Sequence, residues 1–177
     1  MVHCVHGGRA FVRLVGFMLF TTGCVLPPSL SVDESDAGMN SPPAITAVRS
    51  SDQELPEPGP VVFETGINAG MMSISLVDTD VNDTLYVSLF VDYFVSSPTP
   101  PRATCTAAPT GTSQRTATCD LTALCTEFDV QHPGRFLTVQ VFDRELAESG
   151  PPRFKLMKGD GGMTTSRSYL LNCQGPS

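Results

Sequence analysis

Four oxygen-bearing side chains fall within six residues at Asp78, Asp80, Asn82 and Asp83, and hard oxygen donors at such density are what Ca2+ coordination requires. The stretch lacks the twelve-residue loop of an EF-hand, with its central glycine and distal glutamate. Asp and Asn are also the residues that turns between strands use for their own backbone hydrogen bonds. Asp78, Asp80 and Asp83 are therefore the candidate metal ligands, and a solvated turn is the plainer expectation. Histidine chemistry has one candidate. His3 and His6 lie in an amino-terminal stretch with the pattern of an export signal, which leaves His132 just before Pro133-Gly134, in an expected turn. A Ser-His-Asp hydrolase or a histidine-ligated zinc enzyme would have to be built around that residue. Acids are numerous enough to supply a carboxylate pair for glycoside hydrolysis, yet no aromatic groove accompanies them and Trp is absent. No glycine-rich phosphate loop opens a helix after a strand. The expectation is a protein that is not an enzyme and holds no cofactor beyond a possible Ca2+, the alternatives being a secreted carboxylate-based hydrolase or a calcium-stabilised adhesion module.

Residues 1–23 combine a weakly basic start, through Arg9 and Arg13, with an apolar run over 14–20 and the small residues Thr21, Thr22 and Gly23, the pattern of a signal peptide. The run is far shorter than the ~20 residues that cross a bilayer as a helix. Removing residues 1–23 takes away two arginines and no acid, so nine basic side chains remain against eighteen acidic ones. The densest basic stretch is then Arg153, Lys155 and Lys158, too sparse to displace the counterions of a phosphate backbone. Nucleic acid is excluded as a partner, and the same acidity argues against electrostatic docking on anionic lipid.

The segment Leu19-Phe20-Thr21-Thr22-Gly23-Cys24 resembles the bacterial lipobox, with Thr21 standing where that pattern usually has Leu. The resemblance implies cleavage before Cys24 and a lipid on its sulfur, hence a membrane partner reached through that lipid. Val25 in the following position implies outer-membrane sorting, with free secretion as the alternative. The stretch 25–43 is rich in Pro, Ser and acids and is expected to be a disordered tether with a root-mean-square span of roughly 25 Å. The expected organisation is a signal peptide over 1–23, a lipidated Cys and tether over 24–43, and one domain over 44–177.

Within that domain, short apolar runs at 45–50, 61–65, 71–77, 85–93, 115–121, 136–142 and 167–173 are separated by turn signals, the spacing of an antiparallel β-sandwich or barrel. Met72, Ile74 and Leu76 alternate with Ser73 and Ser75, and Leu137, Val139 and Val141 with Thr138 and Gln140, which gives each strand one buried face. The run 85–93 is apolar at most positions and is expected to be the most buried strand. The order of Asp78-Thr79-Asp80-Val81-Asn82-Asp83 leading into 85–93, and of 133–144 followed by a loop and a last strand, resembles an immunoglobulin-like sandwich of bacterial surface proteins. It lacks the core Trp of antibody domains. Once Cys4 leaves with the signal and Cys24 takes lipid, Cys105, Cys119, Cys125 and Cys173 remain, and four cysteines in an exported domain imply two disulfides. A four-cysteine zinc site would want paired C-x-x-C spacing, which is missing. The sandwich resemblance implies Cys105 with Cys119 and Cys125 with Cys173. It leads to a non-catalytic envelope lipoprotein that serves adhesion, assembly or scaffolding toward an envelope protein or a glycan.

Overall fold

The computed structural model describes residues 40–147 and 154–176. The signal peptide, Cys24 and most of the tether lie outside the described residues. The fold is all-β, with β1 Ala44–Ser50, β2 Gln53–Glu54, β3 Val61–Glu64, β4 Met71–Val77, β5 Leu85–Val91, β6 Ala103–Ala107, β7 Gln114–Asp120, β8 Arg135–Phe142 and β9 Thr164–Gln174. A 3-10 turn spans Gly66–Ala69, and a short helix, α1, spans Glu127–Gln131.

Nine strands stand where seven were expected. The two additions, β2 and β6, sit at sheet edges. Gln53 and Glu54 are both exposed, and Ala103-Thr104-Cys105-Thr106-Ala107 places small residues opposite threonines, so neither carries a strong apolar period.

The strands form two sheets, one in the order β2-β1-β4-β7 and the other β3-β9-β8-β5-β6. All pairings are antiparallel except β3 with β9. The chain changes sheet between β2 and β3, through Leu55-Pro56-Glu57-Pro58-Gly59-Pro60, where prolines cannot donate to a ladder. Gly59 has φ +115°, and a Cβ there would stand 2.9 Å from the Leu170 carbonyl oxygen, so β9 approaches this crossing as closely as a glycine allows.

The core lies between the sheets. Val48, Met72, Ile74, Leu76, Ala117 and Cys119 face inward from one, and Leu85, Val87, Leu89, Leu137, Val139 and Val141 from the other. Alternation in β4 buries the expected face, whereas β8 is buried on both faces, Thr138 and Gln140 as well as Leu137, Val139 and Val141. β5 is buried nearly throughout, because a second cluster covers its outer face: Phe90, Tyr93 and Phe142 pack with Tyr86, Leu146, Phe154 and Met157. Part of the β8–β9 connection supplies that cover, held by a bridge of Leu146 with Met157 and by Ala147 N–H donating to the Leu156 carbonyl at 2.8 Å.

Cys105 is bonded to Cys119, which ties β6 to β7 across the two sheets, and Cys125 is bonded to Cys173, which ties the segment before α1 to β9. The pairs are those the resemblance implies.

Strand register separates two ends. Ala44 opposite Val77, Val77 opposite Gln114, and Phe142 opposite Thr164 mark one end. Asn40 is held there, its amide donating to the Asp143 carboxylate and, at 2.8 Å, to the Gly161 carbonyl, while Ser41 N–H donates to Asp80 at 3.1 Å. The domain's contacts therefore begin four residues before the first strand. The β5–β6 connection, the 3-10 turn and α1 lie at the other end.

Candidate functional site

The end opposite Asn40 holds a cleft of about 300 Å³ between the β5–β6 connection and α1. Its floor is set by two Arg–Asp pairs. Asp92 follows β5 with φ +56°, a left-handed conformation that Asp tolerates better than most residues. That turn aims its carboxylate at the start of β8, where it accepts from Arg135 at 2.5 Å and from Phe136 N–H at 3.0 Å. Arg102 enters β6 with its N–H on the Leu89 carbonyl at 2.7 Å, and its guanidinium donates to Asp129 at 3.2 Å.

Asp129 is the third residue of α1. With Thr126 it closes a capping box, in which Thr126 N–H and hydroxyl donate to the carboxylate at 2.9 and 2.6 Å. This satisfies donors that a helix start would leave orphaned. Burial alone would push the Asp129 carboxyl up. The Thr126 hydrogen bonds and the Arg102 charge together outweigh burial and hold it below the usual carboxylate range.

One wall is apolar, with Val95 and Phe128 about half exposed. His132 stacks on Phe128 at 4.0 Å between centroids, and the Arg135 guanidinium lies 4.9 Å from the same ring. His132 Nδ1 also bonds the Phe128 carbonyl at 2.8 Å. His132 thus caps the end of α1 and steadies the rim as a turn residue. The Arg135 Nε is buried and has no protein partner.

Each arginine in the cleft is matched by a carboxylate, so the site is electrically balanced while offering donors and acceptors side by side. That chemistry suits a neutral polar surface flanked by apolar groups. The exposed Asp120 carboxyl is also held below the usual carboxylate range, by bonds from the Thr122 hydroxyl and N–H.

The Asp78–Asp83 stretch, the candidate metal ligands of the sequence, is at the far end. Among the described residues, no group of three or more His, Cys, Asp or Glu is arranged to hold a metal. The Asp78 carboxylate is turned inward and accepts from Arg115 at 2.6 Å, both side chains fully buried. The same guanidinium donates to the Asp80 carbonyl at 3.1 Å and to the Asp83 carbonyl. A fixed positive charge thus stands where the ion was expected.

Asp92, Arg102, Phe128, Asp129 and Arg135 were not singled out from sequence. One signal could have found part of the cleft: Thr126-Glu127-Phe128-Asp129 has the spacing of a capping box, which marks a helix start inside a chain otherwise read as strands. The cleft's other pairs join residues 27 and 43 positions apart and have no local spacing to reveal them. No family model matches this chain, and no curated protein matches it.

Proposed function

We propose that this chain is a non-catalytic binding module of the bacterial envelope, held to the membrane by a lipid on Cys24, with an immunoglobulin-like sandwich whose Arg–Asp cleft is its contact surface. The sandwich reading is supported by the strand order, in which the chain leaves one sheet after β2 and returns as β3 alongside β9 of the other. The observation that carries the functional reading is the opposition of ends. The chain enters the domain at Asn40, beside Asp143 and Asp80, and the cleft lies beyond strands of seven and eight residues, roughly 25 Å away. A tether at one end leaves the other free to meet a partner, and sandwich loops are where a rigid frame places its contacts.

A partner that fits is an envelope protein or a glycan bearing uncharged hydrogen-bonding groups. Within the cleft, the lowered Asp129 carboxyl is poorly suited to serve as a general acid, which needs a pKa raised toward neutrality.

The anchor is tested by the intact mass of protein purified from detergent-solubilised membranes of a related host. A species beginning at Cys24 with added acyl mass, lost in Cys24→Ala, supports it, and an unmodified soluble chain defeats it. The cleft is tested with a photoreactive amino acid at Val95 in cells. A discrete cross-linked product at Val95, absent with the same group at Thr110 in the β6–β7 turn, is expected. Equal labelling at both positions would remove the cleft from the proposal.

A further inference from the structure

The β4–β5 loop is built as a cation site, and we infer that its cation is the chain's own: the guanidinium of Arg115 permanently loads a cage that would otherwise take a small hard cation.

Arg115 lies on β7 in the row that faces the core, two residues before Ala117 and four before Cys119. An arginine among such neighbours is costly to bury unless its charge is met. The loop of residues 78–83 meets it with oxygen from three residues: the Asp78 carboxylate at 2.6 Å, the Asp80 carbonyl at 3.1 Å and the Asp83 carbonyl. One carboxylate and two carbonyls gathered around one guanidinium, Asp78 and Asp80 on Nη2 and Asp83 on Nη1, are oxygen donors of the hard kind that Ca2+ selects. Asp78 Oδ1 also accepts from Asp80 N–H at 3.1 Å, and Asp83 N–H donates to the Asp80 carbonyl at 3.2 Å, so the loop is folded around the charge. The Arg115 Nε is fully buried with no protein partner, which shows that the head is positioned for the loop oxygens at the expense of its remaining donor. The side chain supplies from β7 what an ion would supply from solution, and it joins the loop that leaves β4 to the strand paired with β4. The wild-type loop is therefore independent of free metal.

The experiment is thermal unfolding of the full chain in detergent, with EDTA, with millimolar CaCl2 and with millimolar guanidinium chloride, each against a NaCl control of equal ionic strength. Wild type is expected to keep one Tm in all four. Arg115→Ala leaves the Asp78 carboxylate buried without its partner and lowers Tm by roughly 10 °C. Calcium or guanidinium then raises that Tm saturably and NaCl does not, and the response is lost in Arg115→Ala combined with Asp78→Asn. Arg115→Met is measured alongside, because it keeps the apolar stem and removes only the charged head. Should the alanine variant not fold, the methionine variant carries the same comparison. A fall in wild-type Tm with EDTA overturns the inference, as does indifference of the arginine variants to both cations or an undiminished response without Asp78.

Discussion

Asp129 shows how one side chain can serve a helix, a pairing and a cleft at once. Its carboxylate accepts from the Thr126 N–H and hydroxyl and from Arg102, and its pKa is lowered although burial opposes that. A carboxyl held below its unfolded value stabilises the fold fully above that value, about 3.9. The contribution is lost as pH falls through the lower folded value, where native and unfolded chains bind protons alike. Asp129→Asn is therefore expected to lower stability by about 1–3 kcal/mol at neutral pH. The deficit relative to wild type should shrink below about pH 4, which urea titrations at pH 7 and pH 3 would measure. A constant deficit at both values would show that the amide loses something other than the charge. Phe128 lies between His132 and Arg135, and Phe128→Ala is expected to abolish the Val95 cross-link while shifting the urea midpoint little, since the ring is half exposed.

Two disulfides join elements of this fold, and one of them, Cys105–Cys119, crosses between the sheets. The Cys105–Cys119 bond spans 14 residues and the Cys125–Cys173 bond spans 48. In the chain-entropy account the longer closure removes more freedom from the unfolded chain, and each bond contributes about 2–4 kcal/mol. Replacing Cys125 and Cys173 together by alanine is expected to lower the urea midpoint more than replacing Cys105 and Cys119, in unreduced protein. The reverse order would mean that tying β6 to β7 matters more than loop length. The outer cluster on β5 and β8 is separate from the core between the sheets. Phe142 is 1% exposed, with Leu146, Phe154 and Met157 packed around its cluster. Phe142→Ala is expected to cost about 3–5 kcal/mol and to increase proteolysis within the β8–β9 connection, read by limited digestion and mass mapping.

At the scale of the whole molecule the domain is polar in layout, with its amino-terminal contacts at one end and the Arg–Asp cleft at the other. If the chain carries the proposed lipid on Cys24, a fluorophore at Thr110 is expected to transfer energy to a membrane dye in vesicles more efficiently than one at Ser97. Equal transfer would mean that the domain lies on its side. Much of the architecture was legible in the chain alone, because period-two alternation in Met72-Ser73-Ile74-Ser75-Leu76 states which face of a strand must leave water, although in β8 the alternating Thr138 and Gln140 are buried as well. Four cysteines beyond residue 24, under the expectation of export, likewise pointed to two bonds. Edge strands escaped notice because β2 and β6 bury little, and a strand recruited by its neighbour's unpaired backbone needs no apolar period of its own. The cleft and the Arg115 cage escaped for a different reason. Their partners are 27 to 43 residues apart, and a charge in the sequence does not say whether it will face solvent or be buried against a carboxylate. Local pattern determined which residues leave water; only the tertiary structure decided which charges meet, because Asp78 meets Arg115 and Asp92 meets Arg135 through the register of neighbouring strands within a sheet, which acts across distances that no local spacing records.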